Sequence, residues 1–252
     1  MTAAASVTAT FVQQFTVTVT LSGNGGGHIT SAPAGLDCSS PQCGAVVDAG
    51  SIFQLSPSAD PVSRFSGWSG ACTGTGACAV TVSGNVQLGA TFVQQFDIQA
   101  SVVGSGSVQS HPAGIACPGD CSDRYDTNTD VVLTATAAPG WRFSGWGAAQ
   151  CQGDAPVCVQ SASQYEARMV TAFFIEQLPL TVVMAGNGSG SVAGAGFYDA
   201  GTIVTLTATP DASSVFAGWA GACTGMGACT VTMSGPQTVT ATFTLRQYPL
   251  DV

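Results

Sequence analysis

Residues 65–78 read FSGWSGACTGTGAC, and the pattern returns as FSGWGAAQCQGDAPVC at 143–158 and as FAGWAGACTGMGAC at 216–229. No other feature limits the fold as strongly. Self-similarity at a period of about eighty residues means that each copy is a small folding unit and the chain an array of them. It also argues against a reaction centre, since one chain rarely carries the same catalytic site three times over.

Each corner sits between two kinds of strand. An alternating run opens every unit: FTVTVTLSGNGGG from Phe15, FDIQASVVGSG from Phe96 and LPLTVVMAGNGSG from Leu178. Runs of the VTATF type close the units at Phe92, Phe174 and Phe243. Further alternating runs, TDVVLTATAAP at 129–139 and GTIVTLTATP at 201–210, follow the turn formers YDTN and YDAG. A period of two, apolar on one side and threonine on the other, is the mark of a half-buried strand. The 32 glycines, with abundant Thr, Ser, Val and Ala and no lysine, favour short strands joined by tight turns over helices rich in Leu, Glu, Lys and Arg. The fold class predicted is all-β, a tandem array of small β-grasp-like or sandwich-like units of five or six strands, with little or no helix. The glycine-rich GNGGG and GNGSG stretches lack the helix and lysine of a phosphate loop and are expected to be hairpin turns.

The units are placed at 15–95, 96–177 and 178–247, joined by VQQ, IEQ and TLRQ linkers too short for free tumbling. SVTATFVQQF at 6–15 duplicates LGATFVQQF at 88–96, so residues 1–14 are expected to end a preceding, truncated repeat. YPLDV at 248–252 is expected to open a following one. Within the units, Phe65 with Trp68, Phe143 with Trp146 and Phe216 with Trp219 are the largest apolar groups available to a small core. Burial of each is worth roughly 2–3 kcal/mol.

The ten cysteines fall into close pairs: Cys38 with Cys43, Cys72 with Cys78, Cys117 with Cys121, Cys151 with Cys158 and Cys223 with Cys229. Zinc held by four thiolates per unit competes with disulfides as an explanation. The third unit decides in favour of disulfides, because it lacks about eleven residues of the second and both cysteines of the first pair went with them. A four-thiolate site would be half destroyed by that loss, whereas independent bridges lose one and keep one. Disulfides imply an oxidising compartment.

A net charge of -9, with five arginines against fourteen acidic residues, repels phosphate backbones and anionic lipid, so nucleic acid is not an expected partner. No run of eighteen apolar residues occurs; VTAFFIEQLPLTVVMAG at 170–186 is broken by Glu176, Gln177 and Pro179, and no membrane insertion is expected. The opening MTAAASVTATF has neither the cationic start nor the apolar block of a secretion signal, which is expected upstream.

The ordered landmarks V-x-G-x-G-x-V, P-A-G-I/L-x-C, Y-D-x-G-T, F-x-G-W-x-G-x-C and V-T-A-T-F resemble a bacterial repeat domain family, the divergent relatives of internalin-type B-repeats. The resemblance covers nearly the whole chain. It implies a secreted or surface-exposed bacterial protein whose β units form a stalk, and it brings no catalytic residues. No catalytic, cofactor or metal residue is assigned.

Sharper readings remain beside this one. Asp120, Asp123, Asp126 and Asp130 gather carboxylates in one stretch of the second unit and could take a weak calcium ion, though their spacing fits no calcium loop. His28 and His111 stand at non-equivalent positions and are expected to be exposed loop residues. Trp141, present only in the second unit, is the candidate contact for a glycan or protein. The function expected is a non-enzymatic extracellular array acting as a stalk, adhesin spacer or fibre segment; the alternative is a carbohydrate- or protein-binding module using exposed aromatics such as Trp141. Expected partners are neighbouring repeats of the same or identical chains, in head-to-tail assembly if the terminal strands pair between molecules, and a host or matrix glycan or protein.

Overall fold

The structure, a computed structural model, describes residues 6–147, 151, 153–163 and 168–247. The strand expected at 248–252 and the first five residues lie outside that set. Among the described residues there is no helix.

The first repeat contains β1 (Gln14–Gly23), β2 (Gly27–Ala32), β3 (Asp37–Cys38), β4 (Gln42–Asp48), β5 (Ile52–Ala59), β6 (Ser63–Gly70), β7 (Cys78–Thr81) and the first part of β8 (Val86–Val103). One sheet has the order β4-β1-β8-β6, in which β1 is antiparallel to β4 and parallel to β8, and β6 is antiparallel to β8. The other has the order β3-β2-β5-β7. Val17, Val19, Trp68, Leu88 and Phe92 from the first meet Ile29, Phe53, Leu55 and Cys78 from the second in one buried cluster. This is a β-sandwich, and the alternation read from the sequence puts its apolar faces inward.

The chain continues through β9 (Gly106–His111), β10 (Ala116–Cys117), β11 (Ser122–Asp126), β12 (Asp130–Ala137), β13 (Trp141–Trp146), β14 (Val157–Ser161) and β15 (Arg168–Ala185). It ends with β16 (Gly190–Ala193), β17 (Gly196–Asp199), β18 (Ile203–Pro210), β19 (Ser214–Gly221), β20 (Cys229–Thr232) and β21 (Gln237–Leu245). Contacts group these strands into two compact units. One holds Met1–Ile98, Asp123–Val131 and Ser161–Arg168; the other holds Gln99–Ser122, Val132–Gln160 and Met169–Val252. In the latter, the third repeat pairs β17, β15, β21 and β19 in one sheet and β16, β18 and β20 in the other. Its core joins Leu178, Leu180, Trp219 and Phe243 to Val204, Leu206, Val231 and Met233.

Several expectations need correction. The VQQ and IEQ segments are not linkers: Val93–Gln95 lies inside β8 and Ile175–Gln177 inside β15, so the closing strand of one repeat becomes the opening strand of the next without a loop. Continuous alternation across both stretches carried that signal. The glycine-rich stretches are not hairpin turns, because β1 and β2 belong to different sheets. They are corners that carry the chain from one sheet to the other. Gly23 turns there with φ +98°, and a Cβ would collide with the Phe92 carbonyl oxygen, so only glycine fits. The first repeat has eight strands and the third seven, more than the five or six expected. Residues 6–13 alternate like a strand yet form none, since pairing needs a neighbouring edge.

Candidate functional sites: tryptophan corners, staples and joints

Each Phe-x-Gly-Trp corner is a β-bulge. The register of β6 against β8 shifts between Phe65 and Gly67, that of β13 against β15 between Phe143 and Gly145, and that of β19 against β21 between Phe216 and Gly218. The extra residue re-aims the following side chain, here the tryptophan, into the core. Trp68, Trp146 and Trp219 are all buried. Phe65 stands edge-on to Trp68 with ring centroids 5.1 Å apart, Phe143 to Trp146 at 5.3 Å and Phe216 to Trp219 at 4.9 Å.

A buried indole N–H needs an acceptor, and the cysteine loop supplies it. Trp68 Nε1 donates to the Gly76 carbonyl at 3.0 Å, Trp146 Nε1 to Ala155 at 3.0 Å and Trp219 Nε1 to Gly227 at 3.1 Å. The backbone N–H of Trp68 also donates to Gly74 at 2.8 Å, and that of Trp219 to Gly225 at 2.7 Å. Two carbonyls of the cysteine loop therefore clasp Trp68 and Trp219 and one holds the Trp146 indole, and the bridges Cys72–Cys78, Cys151–Cys158 and Cys223–Cys229 close these loops. Cys38–Cys43 and Cys117–Cys121 tie the short strands β3 and β10 to the chain that follows them. Among the described residues no cysteine is free.

The sequence reading missed a second recurring constellation, at the shared strands. Arg142 on β13 reaches Asp199 on β17 across β15: its Nε donates to Asp199 Oδ1 at 2.7 Å and a terminal nitrogen to Oδ2, while Gln177 on β15 also donates to Oδ1. Arg64 on β6 makes the same fork onto Asp126, with Nε to Oδ1 at 2.6 Å and Gln95 to Oδ1 at 3.2 Å. The arginine comes from one repeat and the aspartate from the next. The fork's hydrogen bonds hold both carboxyls below the usual carboxylate range and raise both guanidinium groups. The available signal was an arginine immediately before two of the three Phe-x-Gly-Trp corners.

The sequence matches a family described as Divergent InlB B-repeat domain over residues 17–96, 99–176 and 180–247. The chain belongs to that family. No curated protein matches it. Among solved structures, a Streptococcal ancillary pilin superposes with a TM-score of 0.29 at 8% identity, covering 94% of this chain and 100% of that one. The shaft pilin SpaA of Lactobacillus rhamnosus GG gives 0.21 at 9% identity over 94% and 100%. The pilus adhesin SpaC of the same organism, in its open conformation, gives 0.27 at 8% identity over 95% of this chain and 44% of that one. Superpositions this loose carry no argument about fold or assembly.

Four aspartates, two histidines and Trp141 remain among the candidates in these B-repeats. Of the four clustered aspartates, Asp126 is taken by Arg64, and Asp130 accepts a hydrogen bond from Ser161 Oγ at 2.9 Å. Among the described residues no three His, Cys, Asp or Glu side chains converge as a metal site would require. His28 and His111 are not in loops: His28 is half-buried on β2, and His111 ends β9. Trp141 is half-buried rather than exposed; its ring edge lies against Gly104, where a Cβ would stand 2.9 Å from Cζ3. Alternation implied none of these placements, because position along a strand does not say what lies over it. Sequence reasoning also missed Gln160, a buried amide whose Nε2 lies 2.8 Å from the Cys151 sulfur and 3.1 Å from that of Cys158.

Proposed function

We propose that the chain is an extracellular, non-enzymatic structural array, a stalk or adhesin spacer segment at a bacterial surface. One observation carries the reading: β15 closes one repeat and opens the next as a single strand of 18 residues, with a staple beside the tryptophan of each. A loop between domains permits reorientation, whereas a shared strand ties two cores through backbone hydrogen bonds on both sides. Staples closed over short loops resist reduction-free unfolding and proteolysis, as a protein outside the cell must. The repeated side-chain groups are core, staple and joint, and no repeated set combines an acid, a base and a nucleophile. Each repeat is one module in this reading, with boundaries near 95–96 and 177–178.

Limited proteolysis of the purified, unreduced chain tests it. Resistance at the boundaries near 95–96 and 177–178 is expected, and ready release of single repeats would overturn the reading. Screening on glycan arrays separates it from the binding-module alternative, which requires retention that Trp141→Ala abolishes.

A further inference from the structure

Two of the three repeats make the arginine fork, and the first repeat holds the matching acceptor. Gln14 and Asp48 are paired in register on β1 and β4, as Gln177 and Asp199 are on β15 and β17. Gln14 Nε2 donates to Asp48 Oδ1 at 2.8 Å, the same contact that Gln95 and Gln177 make with their aspartates. A backbone bond fixes each turn in the same way: Ala49 N–H to Gln13 at 2.8 Å, Thr127 N–H to Gln94 at 2.9 Å and Ala200 N–H to Glu176 at 3.0 Å. The acceptor carboxylate is therefore preoriented before any guanidinium arrives.

The strand beside it points to the same partner. In β8, Phe92 stands opposite Phe65 and Val93 opposite Arg64 of the corner strand. The duplicate residues Phe11 and Val12 are 92% and 57% exposed. An incoming strand in that register would cover Phe11 with its phenylalanine and set its arginine over Val12, beside Asp48. A planar fork suits the two oxygens of Asp48 where an ammonium would not. Within this chain the third repeat cannot supply it, because Val215 occupies the arginine position before Phe216. Arg124 is bound to Asp97 at 3.0 Å, and Arg246 Nε to the Ser214 carbonyl at 3.1 Å.

We propose that Gln14 and Asp48, with the edge of residues 11–13, form a socket for another B-repeat that carries arginine immediately before its Phe-x-Gly-Trp corner. Arg64 and Arg142 are the plugs of the same joint code, and the third repeat, with Val215, is coded to leave its successor unclamped. The proposal rests on the array reading but has its own readout, since shared strands can resist protease whether or not the fork contributes to their joints.

The test fuses residues 1–245 of one copy to residues 14–252 of a second, so that Phe243–Leu245 stand where residues 11–13 did and the spacing of Phe92 to Gln95 is kept. Amide hydrogen exchange is followed by NMR at Ala49 of the second copy. Val215→Arg in the first copy is expected to slow that amide about two- to fivefold, the range of a well-formed surface ion pair. Asp48→Asn in the second copy should abolish the slowing, and Val215→Gln should not produce it. In the single chain, Arg142→Gln and Arg64→Gln should speed exchange at Ala200 and Thr127 by a similar factor. No slowing with Val215→Arg, slowing that survives Asp48→Asn, or unchanged exchange at both natural joints would each overturn the proposal.

Discussion

The first and third repeats share a fold and differ at one edge. In the first, β4 pairs with β1 from Gln14 to Thr20, and the Cys38–Cys43 bridge pins the chain that leads into it. In the third, β17 pairs with β15 only from Gln177 to Leu180, and no counterpart of that bridge exists. Thr181–Ala185 is then paired with β21 on one side. The consequence reaches the core: Val19 is fully buried in the first repeat, whereas Val182 at the same position is half-buried, and Val183 and Met184 are 46% and 47% exposed. Strand, loop and bridge left together, yet the sandwich stayed. The tryptophan corner and the closing strand therefore define the core, and the first cysteine pair protects an edge.

Removing the corner should break the comparison most sharply. Trp219→Ala deletes a buried indole and orphans the Gly227 carbonyl, at a cost of about 3–5 kcal/mol. An unstapled-edge repeat of about seventy residues has a total stability of only about 4–10 kcal/mol. The third repeat should therefore lose its cooperative denaturant transition or shift it far down, while Trp68→Ala, at an equivalent site, should leave the better-braced first repeat folded. Equal losses in both repeats would show that the edge does not brace the core. The next effect is that of the staples. Cys223→Ser with Cys229→Ser opens the third repeat's one bridge and should cost about 2 kcal/mol by loop entropy. Cys38→Ser with Cys43→Ser should cost a similar amount in the first repeat but leave its tryptophan clasp closed. Limited proteolysis should cut the loop between residues 223 and 229 in the former and the β3–β4 region in the latter.

Much of this was legible in the sequence because repetition and alternation are local. Strand periodicity gave the sheets, the third repeat's deletion separated the cysteine pairs, and glycine before each tryptophan marked the corner. What stayed hidden was pairing. Alternation is the same for strands that share a sheet and strands that oppose each other, so GNGGG looked like a hairpin when it joins two layers. Val-Gln-Gln looked like a linker because a strand shared between two sandwiches has polar residues where it leaves one core for the next. Arg142 and Asp199 are 57 residues apart and meet only because β15 lies between their strands.

The exposed edge gives a smaller effect. Val183 and Met184 lie on a strand with open backbone groups and no charge nearby in sequence, the composition that invites edge-to-edge pairing. Val183→Lys should reduce concentration-dependent association in sedimentation while shifting the denaturant midpoint little, since surface substitutions usually change stability by about 0.5 kcal/mol or less. The equivalent residue of the first repeat, Thr20, lies where β4 already covers the edge, so Thr20→Lys should change neither quantity.

Acid should produce the smallest difference, at the joints. The first repeat presents Arg64 to the next module and the third presents Val215, so only the former end can titrate through its partner. Asp126 and Asp199 have folded pKa values below their ordinary ones because Arg64 and Arg142 hydrogen-bond to the ionised form. A lowered folded value means that the unfolded chain takes up protons first. The fork's contribution is therefore complete at neutral pH, begins to fall as pH drops to the ordinary carboxylate range near 4, and is gone below the depressed folded value. Amide exchange at Thr127 and Ala200 should accelerate, beyond its intrinsic pH dependence, as pH falls through that window. Asp126→Asn and Asp199→Asn should each flatten the response at its own joint, and added salt should imitate acid at neutral pH, since both carboxyls are only partly shielded from solvent. A response at Ala49 as large as that at Ala200 would tie the acid effect to the turn itself and not to the fork, because Ala49 sits in the same turn beside Asp48 and Gln14.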